Sequence, residues 1–344
     1  MRRKTWPQSG GWAKLLRRSM AMQARVVRQA MREPQRKHAP KAAQPSNASK
    51  AAGAGRWLPG RALAAGGSRR YWLYQPPQLQ PGERLPLLVM LHGCGQSAEA
   101  FALSTRMNQL AARERCFVLY PEQDRRANAQ ACWNWFATRS GRADGELALI
   151  MQALDQVLAR HPIEACCVAV AGLSAGASMA ALLVSRHPER FRALAMHSGV
   201  APGAAHSTLT ALAAMRGHSA SRPVLPASPS DWPPLLVLQG GRDRVVVASN
   251  GRAAAELWAD AAGAVAGPVR RLQRGQRHAG ELIEFRRHGH LAATLVEIAL
   301  LGHAWSGGAA SQDFGDALGP DASRMVWAFA NRQFRAARRH PAFA

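Results

Sequence analysis

A chain of 344 residues with 47% hydrophobic residues has room for one core of roughly 250–280 residues plus an extension. No run approaches the ~18–20 consecutive apolar residues that a membrane-spanning helix needs, so such a helix is excluded. The formal net charge of +24 at pH 7 favours phosphate polymers, anionic lipid and acidic surfaces without specifying a fold.

The charge is concentrated at the start, where residues 1–56 hold 14 Lys and Arg against Glu33 alone. Within residues 1–37, Trp12, Leu15, Leu16, Met20, Met22, Val26, Val27 and Met31 recur at several helical spacings among the basic residues. Two readings stand: an amphipathic basic helix lying on an anionic surface, or a solvated tail. No compact apolar stretch follows the charges, so a cleavable export signal is not expected. Residues 38–56 are rich in Ala, Pro, Ser and Gly and read as a linker, which sets the expected boundary of the folded domain at residue 57.

From there short apolar runs alternate with helical periodicity. Strands are expected at Arg70–Tyr74, Leu85–Leu91, Cys116–Tyr120, Cys166–Ala171, Ala193–His197, Leu235–Gln239 and Leu295–Leu300. Helical stripes are Phe101, Met107, Leu110 and Ala111, with Ser97 as N-cap, and Leu147, Ile150, Met151, Leu154, Val157 and Leu158. Ala177–His187 also reads as helix, and Asp321 would cap a last one bearing Met325, Val326 and Phe329. This alternation implies an α/β fold with a mostly parallel sheet covered on both faces. Five cysteines (Cys94, Cys116, Cys132, Cys166, Cys167) at irregular spacing argue against a disulfide framework, and the lack of CxxC against structural zinc.

The chemistry begins at Gly172-Leu173-Ser174-Ala175-Gly176, between an apolar strand and a helical stretch. G-x-S-x-G in that setting is a nucleophile elbow, where small flanking residues let strand and helix approach and expose the hydroxyl. In the α/β-hydrolase fold the chain order is Ser, acid, His. Asp243 follows the strand Leu235–Gln239, and His303 follows Leu295–Leu300, so both are expected at the same sheet edge as Ser174. His303 would act as the base, with Asp243 fixing its tautomer. Asp231 precedes its strand and is poorly placed, while His288 and His290 read as surface or turn residues. For the oxyanion hole, one N–H is expected from Ala175 and one from Cys94, with Gly93 the near alternative; His92 reads as a structural residue of that loop.

With His92-Gly93-Cys94, Tyr120-Pro121-Glu122-Gln123, Cys132-Trp133-Asn134-Trp135-Phe136, Gly172–Gly176 and Gly302-His303-Ala304-Trp305 placed, residues 68–335 resemble the poly(3-hydroxybutyrate) depolymerase family of esterases, which also covers feruloyl and acetylxylan esterases. The resemblance implies a serine carboxylic-ester hydrolase without cofactor or metal, acting on poly- or oligo-(3-hydroxyalkanoate) or a related ester. It implies that Trp133, Trp135 and Trp305 lie near the substrate cleft, where indole rings suit an apolar polyester or aromatic acyl group. Core packing is the other reading of each. It leaves open whether Cys94 and Cys132 are bridged; Cys166 and Cys167, in their apolar strand, read as buried residues.

The chain departs from the family at Gln239, Ser306 and Ala177, where His, Pro and Gly are usual, so fine specificity does not transfer. No polymer-adsorbing module is expected after residue 335. The resemblance points to secretion, whereas the amino terminus points to the cytoplasm. Alternatives to the esterase are a peptidase on the same fold, or a non-catalytic protein whose residues 1–56 bind a polyanion or anionic membrane. No motif supports specific nucleic-acid binding.

Overall fold

The apolar runs of the sequence become the middle of one sheet. The structure is a computed structural model and describes residues 51, 53–65, 67–218 and 232–339, which belong to one compact unit, Gln44–Ala344. The expectations for residues 1–50 and for Asp231 lie outside the described residues.

In chain order the main elements begin with β1 (Arg56–Ala64), β2 (Gly67–Gln75) and β3 (Leu85–Leu91). Helices α1 (Ala98–Thr105) and α2 (Met107–Glu114), β4 (Phe117–Pro121) and α3 (Arg142–Arg160) come next. Then come β5 (Ile163–Leu173), α4 (Ala175–Arg186), β6 (Ala193–His197) and α5 (Thr208–Met215). After β7 (Leu235–Gly240) and α6 (Ser249–Ala262) the chain makes β8 (Val265–Ala266), β9 (Arg270–Leu272), β10 (Gly280–Arg287) and β11 (His290–Ile298). It reaches α7 (Ala322–Arg339) last.

The sheet order is β1-β2-β4-β3-β5-β6-β7-β11-β10-β8, with β9 also on β10. The six strands from β4 to β11 run parallel, while β1 and β2 at one edge and β10, β8 and β9 at the other are antiparallel. Alternation along β3 divides the core: Leu87, Val89 and Leu91 pack with α3, α4 and α6, and Leu88 and Met90 with α1, α2 and α7. Parallel strands share one carboxyl edge, so the segments after β3, β5, β7 and β11 all emerge there.

Several expectations are corrected. The stripe from Phe101 to Ala111 is two helices, because Arg106 takes φ 54°. Thr105 Oγ1 donates to the Phe101 carbonyl and accepts from Met107 N–H, replacing the helical ladder at that point. Ser97 does cap α1, accepting from Ala100 N–H at 3.1 Å. The folded unit starts before residue 57: β1 includes Arg56, and buried Ala51 accepts a hydrogen bond from Asn108 Nδ2 at 2.7 Å. Strand β11 starts earlier than expected and ends at Ile298, so His303 sits in a turn rather than directly after the strand.

Candidate active site

Ser174 occupies the bend between β5 and α4 with φ 55° and ψ −121°, a backbone that non-glycine residues rarely adopt. Two glycines make the bend possible. A Cβ on Gly172 would lie 2.4 Å from the Gly176 backbone, and one on Gly176 would lie 2.1 Å from the Leu91 carbonyl oxygen. The bend is pinned by Ser174 N–H donating to the His197 carbonyl at 2.8 Å. The hydroxyl therefore sits at the amino end of α4, where the helix dipole favours negative charge.

Asp243 and His303 are brought together by the two neighbouring strands. Gly241 N–H donates to the Ile298 carbonyl at 2.8 Å and Arg242 N–H to the Leu301 carbonyl at 3.0 Å, tying the acid loop to the turn after β11. Asp243 Oδ2 lies 2.8 Å from His303 Nδ1, while Oδ1 accepts from Val245 N–H at 2.9 Å and Val246 N–H at 2.8 Å. Burial alone would raise the Asp243 pKa. The His303 hydrogen bond and charge, with the two backbone N–H groups, outweigh it and hold the carboxyl below its ordinary range. Ser174 Oγ is not hydrogen-bonded to His303; catalytic hydrogen bonds of unliganded enzymes are often long and tighten with substrate.

The loop after β3 supplies the other wall. Gly93 N–H is engaged by Gln96 Oε1 at 3.0 Å, and Gly95 N–H by the Gln130 carbonyl at 2.8 Å. Among the described residues Cys94 N–H has no acceptor, which favours it over Gly93 as an oxyanion donor. Ala175 opens α4, so its N–H has no intrahelical acceptor either.

This loop is fastened to Cys132–Phe136. Cys94 and Cys132 form a disulfide with Cα atoms 4.2 Å apart. Gln123 Nε2 donates to the Cys132 carbonyl at 2.9 Å, and Trp133 Nε1 to the His92 carbonyl at 3.1 Å. Buried Glu146 accepts from Gln123 Nε2 at 2.7 Å, Asn134 N–H at 2.9 Å and Asn134 Nδ2 at 2.6 Å. Glu146 was not legible in the sequence, where it reads as one polar residue of an amphipathic helix.

The burial of the three tryptophans favours the core-packing reading over an open cleft-lining one. Trp133 is 0% exposed, Trp305 1% and Trp135 6%, so none offers an open indole face. Trp305 donates to Ser323 Oγ at 3.0 Å, and Trp135 packs edge-on against Phe136. They hold the loops of this edge to the core.

Two further histidines stand at the same edge with both ring nitrogens engaged. His92 Nδ1 lies 2.8 Å from the Gly93 carbonyl, and Nε2 accepts from Gln123 N–H at 3.0 Å. His197 Nε2 accepts from Ser306 N–H at 3.1 Å, with Nδ1 3.2 Å from Ser198 Oγ. Burial lowers the pKa of both, that of His197 to about 3. A depressed histidine contributes stability that is complete above its unfolded pKa of about 6.5 and is lost as pH falls towards the folded value. Urea unfolding should therefore show stability falling from pH 6.5 towards 4. His197→Gln should flatten that slope by about one proton, or about 1.4 kcal/mol per pH unit. An unchanged slope would mean that His197 is not held neutral.

Among the described residues one set could hold a metal: Glu164, Cys166 and Cys167 bring ligand atoms within 4.8 Å of one another at the start of β5, away from Ser174. Arg338 already clamps Glu164 through both carboxylate oxygens. Cys167 is buried as expected, but Cys166 is only partly so.

With this geometry in hand, comparison with known proteins gives a consistent result. The family model Esterase PHB depolymerase matches residues 69–275. A poly(3-hydroxyalkanoate) depolymerase C of Paucimonas lemoignei is 33% identical over 148 residues, which is 43% of this chain and 34% of the relative. Feruloyl esterase B of Neurospora crassa is 31% identical over 145 residues, 40% of this chain and 48% of the relative. The match thus spans less than half of the length of these curated relatives. Among solved structures, an acetyl xylan esterase from Aspergillus awamori superposes with a TM-score of 0.58 at 16% identity, covering 72% of this chain and 94% of that one. That likeness gives the fold, an α/β-hydrolase.

Proposed function

The chain belongs to the Esterase PHB depolymerase family, and from that premise we propose that it is a serine carboxylic-ester hydrolase acting through an acyl-enzyme on poly- or oligo-(3-hydroxyalkanoate) esters. The observation that carries this reading is the 2.8 Å Asp243–His303 pair at the sheet edge where the strained Ser174 elbow emerges.

His303 Nε2 takes the Ser174 proton as Oγ attacks the ester carbonyl, and Asp243 stabilises the imidazolium. The N–H groups of Ala175 and Cys94 receive the oxyanion; one such donor is worth on the order of 3 kcal/mol of barrier. Collapse expels the alcohol with the proton from His303. His303 then takes a proton from water as it attacks the acyl carbon, and collapse breaks the acyl–Oγ bond, returns the proton to Ser174 and releases the acid. Nucleophile, base and oxyanion donors are all protein groups, so this chemistry calls for no cofactor.

The substrate class rests on the family and on the depolymerase relative. Its test is a panel of hydroxybutyrate oligomers, methyl ferulate and acetylated xylan, run with serine-directed phosphonate labelling. Hydroxybutyrate oligomers are expected to give the highest kcat/KM, with the label on Ser174. Preference for methyl ferulate or acetylated xylan would reassign the substrate, and a label elsewhere would sink the mechanism.

The basic segment before Ala51 is read as a tether to anionic surfaces, supported by its charge alone. Because Ala51 and Arg56 are part of the fold, the informative truncation removes residues 1–50. It is expected to keep ester turnover within about twofold and to weaken binding to anionic vesicles at low salt, where unscreened charge acts. Undiminished vesicle binding would remove the tether role.

A further inference from the structure

We infer that His197 is a positioning residue for the proposed hydrolysis, fixing the spacing between the Ser174 elbow and the turn that carries His303. The inference rests on the esterase reading above and adds a residue to it.

His197 ends β6, which lies between β5 and β7, so its backbone is beside the elbow. Its carbonyl accepts Ser174 N–H at 2.8 Å, the bond that holds the nucleophile's backbone in its strained bend. Its imidazole stands on the sheet face that carries Trp305, and Nε2 accepts Ser306 N–H at 3.1 Å, three residues beyond His303. One residue therefore grips both halves of the proposed catalytic pair, by main chain on one side and by side chain on the other.

The far anchor is itself held. The imidazole stacks on Trp305 with centroids 5.1 Å apart and planes 28° from parallel. Trp305 Nε1 donates to Ser323 Oγ, and that hydroxyl donates to the Thr105 carbonyl at 2.6 Å, so the turn is tied to α7 and the end of α1. The near side is equally fixed, because Ser198 N–H donates to the Leu238 carbonyl at 2.9 Å.

The residue type follows from these demands. The site needs a flat ring to lie on the indole and a neutral acceptor for a buried backbone N–H, which is costly to leave unpaired. Phenylalanine gives the first without the second; glutamine gives the second at nearly the same reach. Burial keeps the imidazole neutral at physiological pH, so the acceptor persists.

The experiment compares wild type, His197→Phe, His197→Leu and His197→Gln. It measures kcat and KM on a p-nitrophenyl ester, phosphonate labelling of Ser174 and thermal unfolding. His197→Phe is expected to lower kcat about tenfold or more with KM within twofold, since misplaced groups lose rate in the transition state. His197→Gln should recover to within about threefold of wild type. His197→Leu, which likewise offers the Ser306 N–H no acceptor, should reproduce the kcat loss.

A merely structural residue would lower the unfolding temperature while leaving kcat per labelled serine unchanged; that result overturns the inference, as does a His197→Gln variant no faster than His197→Phe. If His197→Phe does not fold, His197→Leu and His197→Gln decide the matter by the same criteria. A wild type that neither turns over ester nor labels at Ser174 sinks the esterase reading itself, which distinguishes the two failures.

Discussion

Ser174→Ala is expected to lower kcat for ester hydrolysis by a factor of about 10⁴ or more, leaving the unfolding temperature within a few degrees of wild type. The loss is large because neighbouring hydroxyls are committed elsewhere. Ser178 Oγ donates to the Ser174 carbonyl at 3.3 Å and accepts from Val200 N–H at 2.8 Å, and Ser198 Oγ faces His197. Stability should barely change, because alanine keeps the Cβ and hence the strain of φ 55°. Ser174→Gly gives a companion result: glycine relieves the bend, so it should be equally inactive yet more stable by about 1 kcal/mol. Stopped assays with calorimetry on the three proteins check both parts. Residual turnover above about 1% of wild type in Ser174→Ala would remove Ser174 as the nucleophile.

The sequence revealed most where a single physical demand dominated. The central strands β3, β6, β7 and, from Cys167 onward, β5 are buried on both faces and read as apolar runs, so their positions follow from burial alone. The edges obey weaker rules. In β1, Pro59 and Gly60 look like linker residues, yet an edge strand tolerates both, and β10 alternates charge and apolar residues because one face is wet. The elbow and the Asp243 and His303 positions were legible because chain order and strand ends define them. His197 and Glu146 were not, since each acts by bonds to residues distant in the chain: Ser306 for one, Gln123 and Asn134 for the other. The tryptophans left two readings open for a related reason. Composition shows that an indole is large and apolar but not which side of a loop it faces, and here Trp133 and Trp305 face inward.

Asp243→Asn should lower kcat/KM by about 10⁴, with only a modest change in stability. The argument is about a proton. In the wild type, Asp243 Oδ2 accepts from His303 Nδ1–H, which leaves Nε2 unprotonated and free to act as base. Asparagine keeps one oxygen, and Val245 and Val246 N–H groups at 2.9 and 2.8 Å hold that oxygen where Oδ1 now sits. The amide nitrogen is then forced to face Nδ1 as a donor. His303 must answer with an unprotonated Nδ1 and a protonated Nε2, the tautomer that cannot accept from Ser174. The fold loses one charge-assisted bond at a position that remains hydrogen-bonded, so unfolding in urea should shift little near neutral pH. That shift should shrink further in acid, because the depressed carboxylate contributes fully above its unfolded pKa and stops contributing as pH falls through its folded value. Asp231→Asn serves as the control for the rival acid and is expected to retain wild-type turnover. If Asp243→Asn keeps more than a tenth of wild-type kcat/KM while Asp231→Asn loses it, the acid has been assigned to the wrong loop.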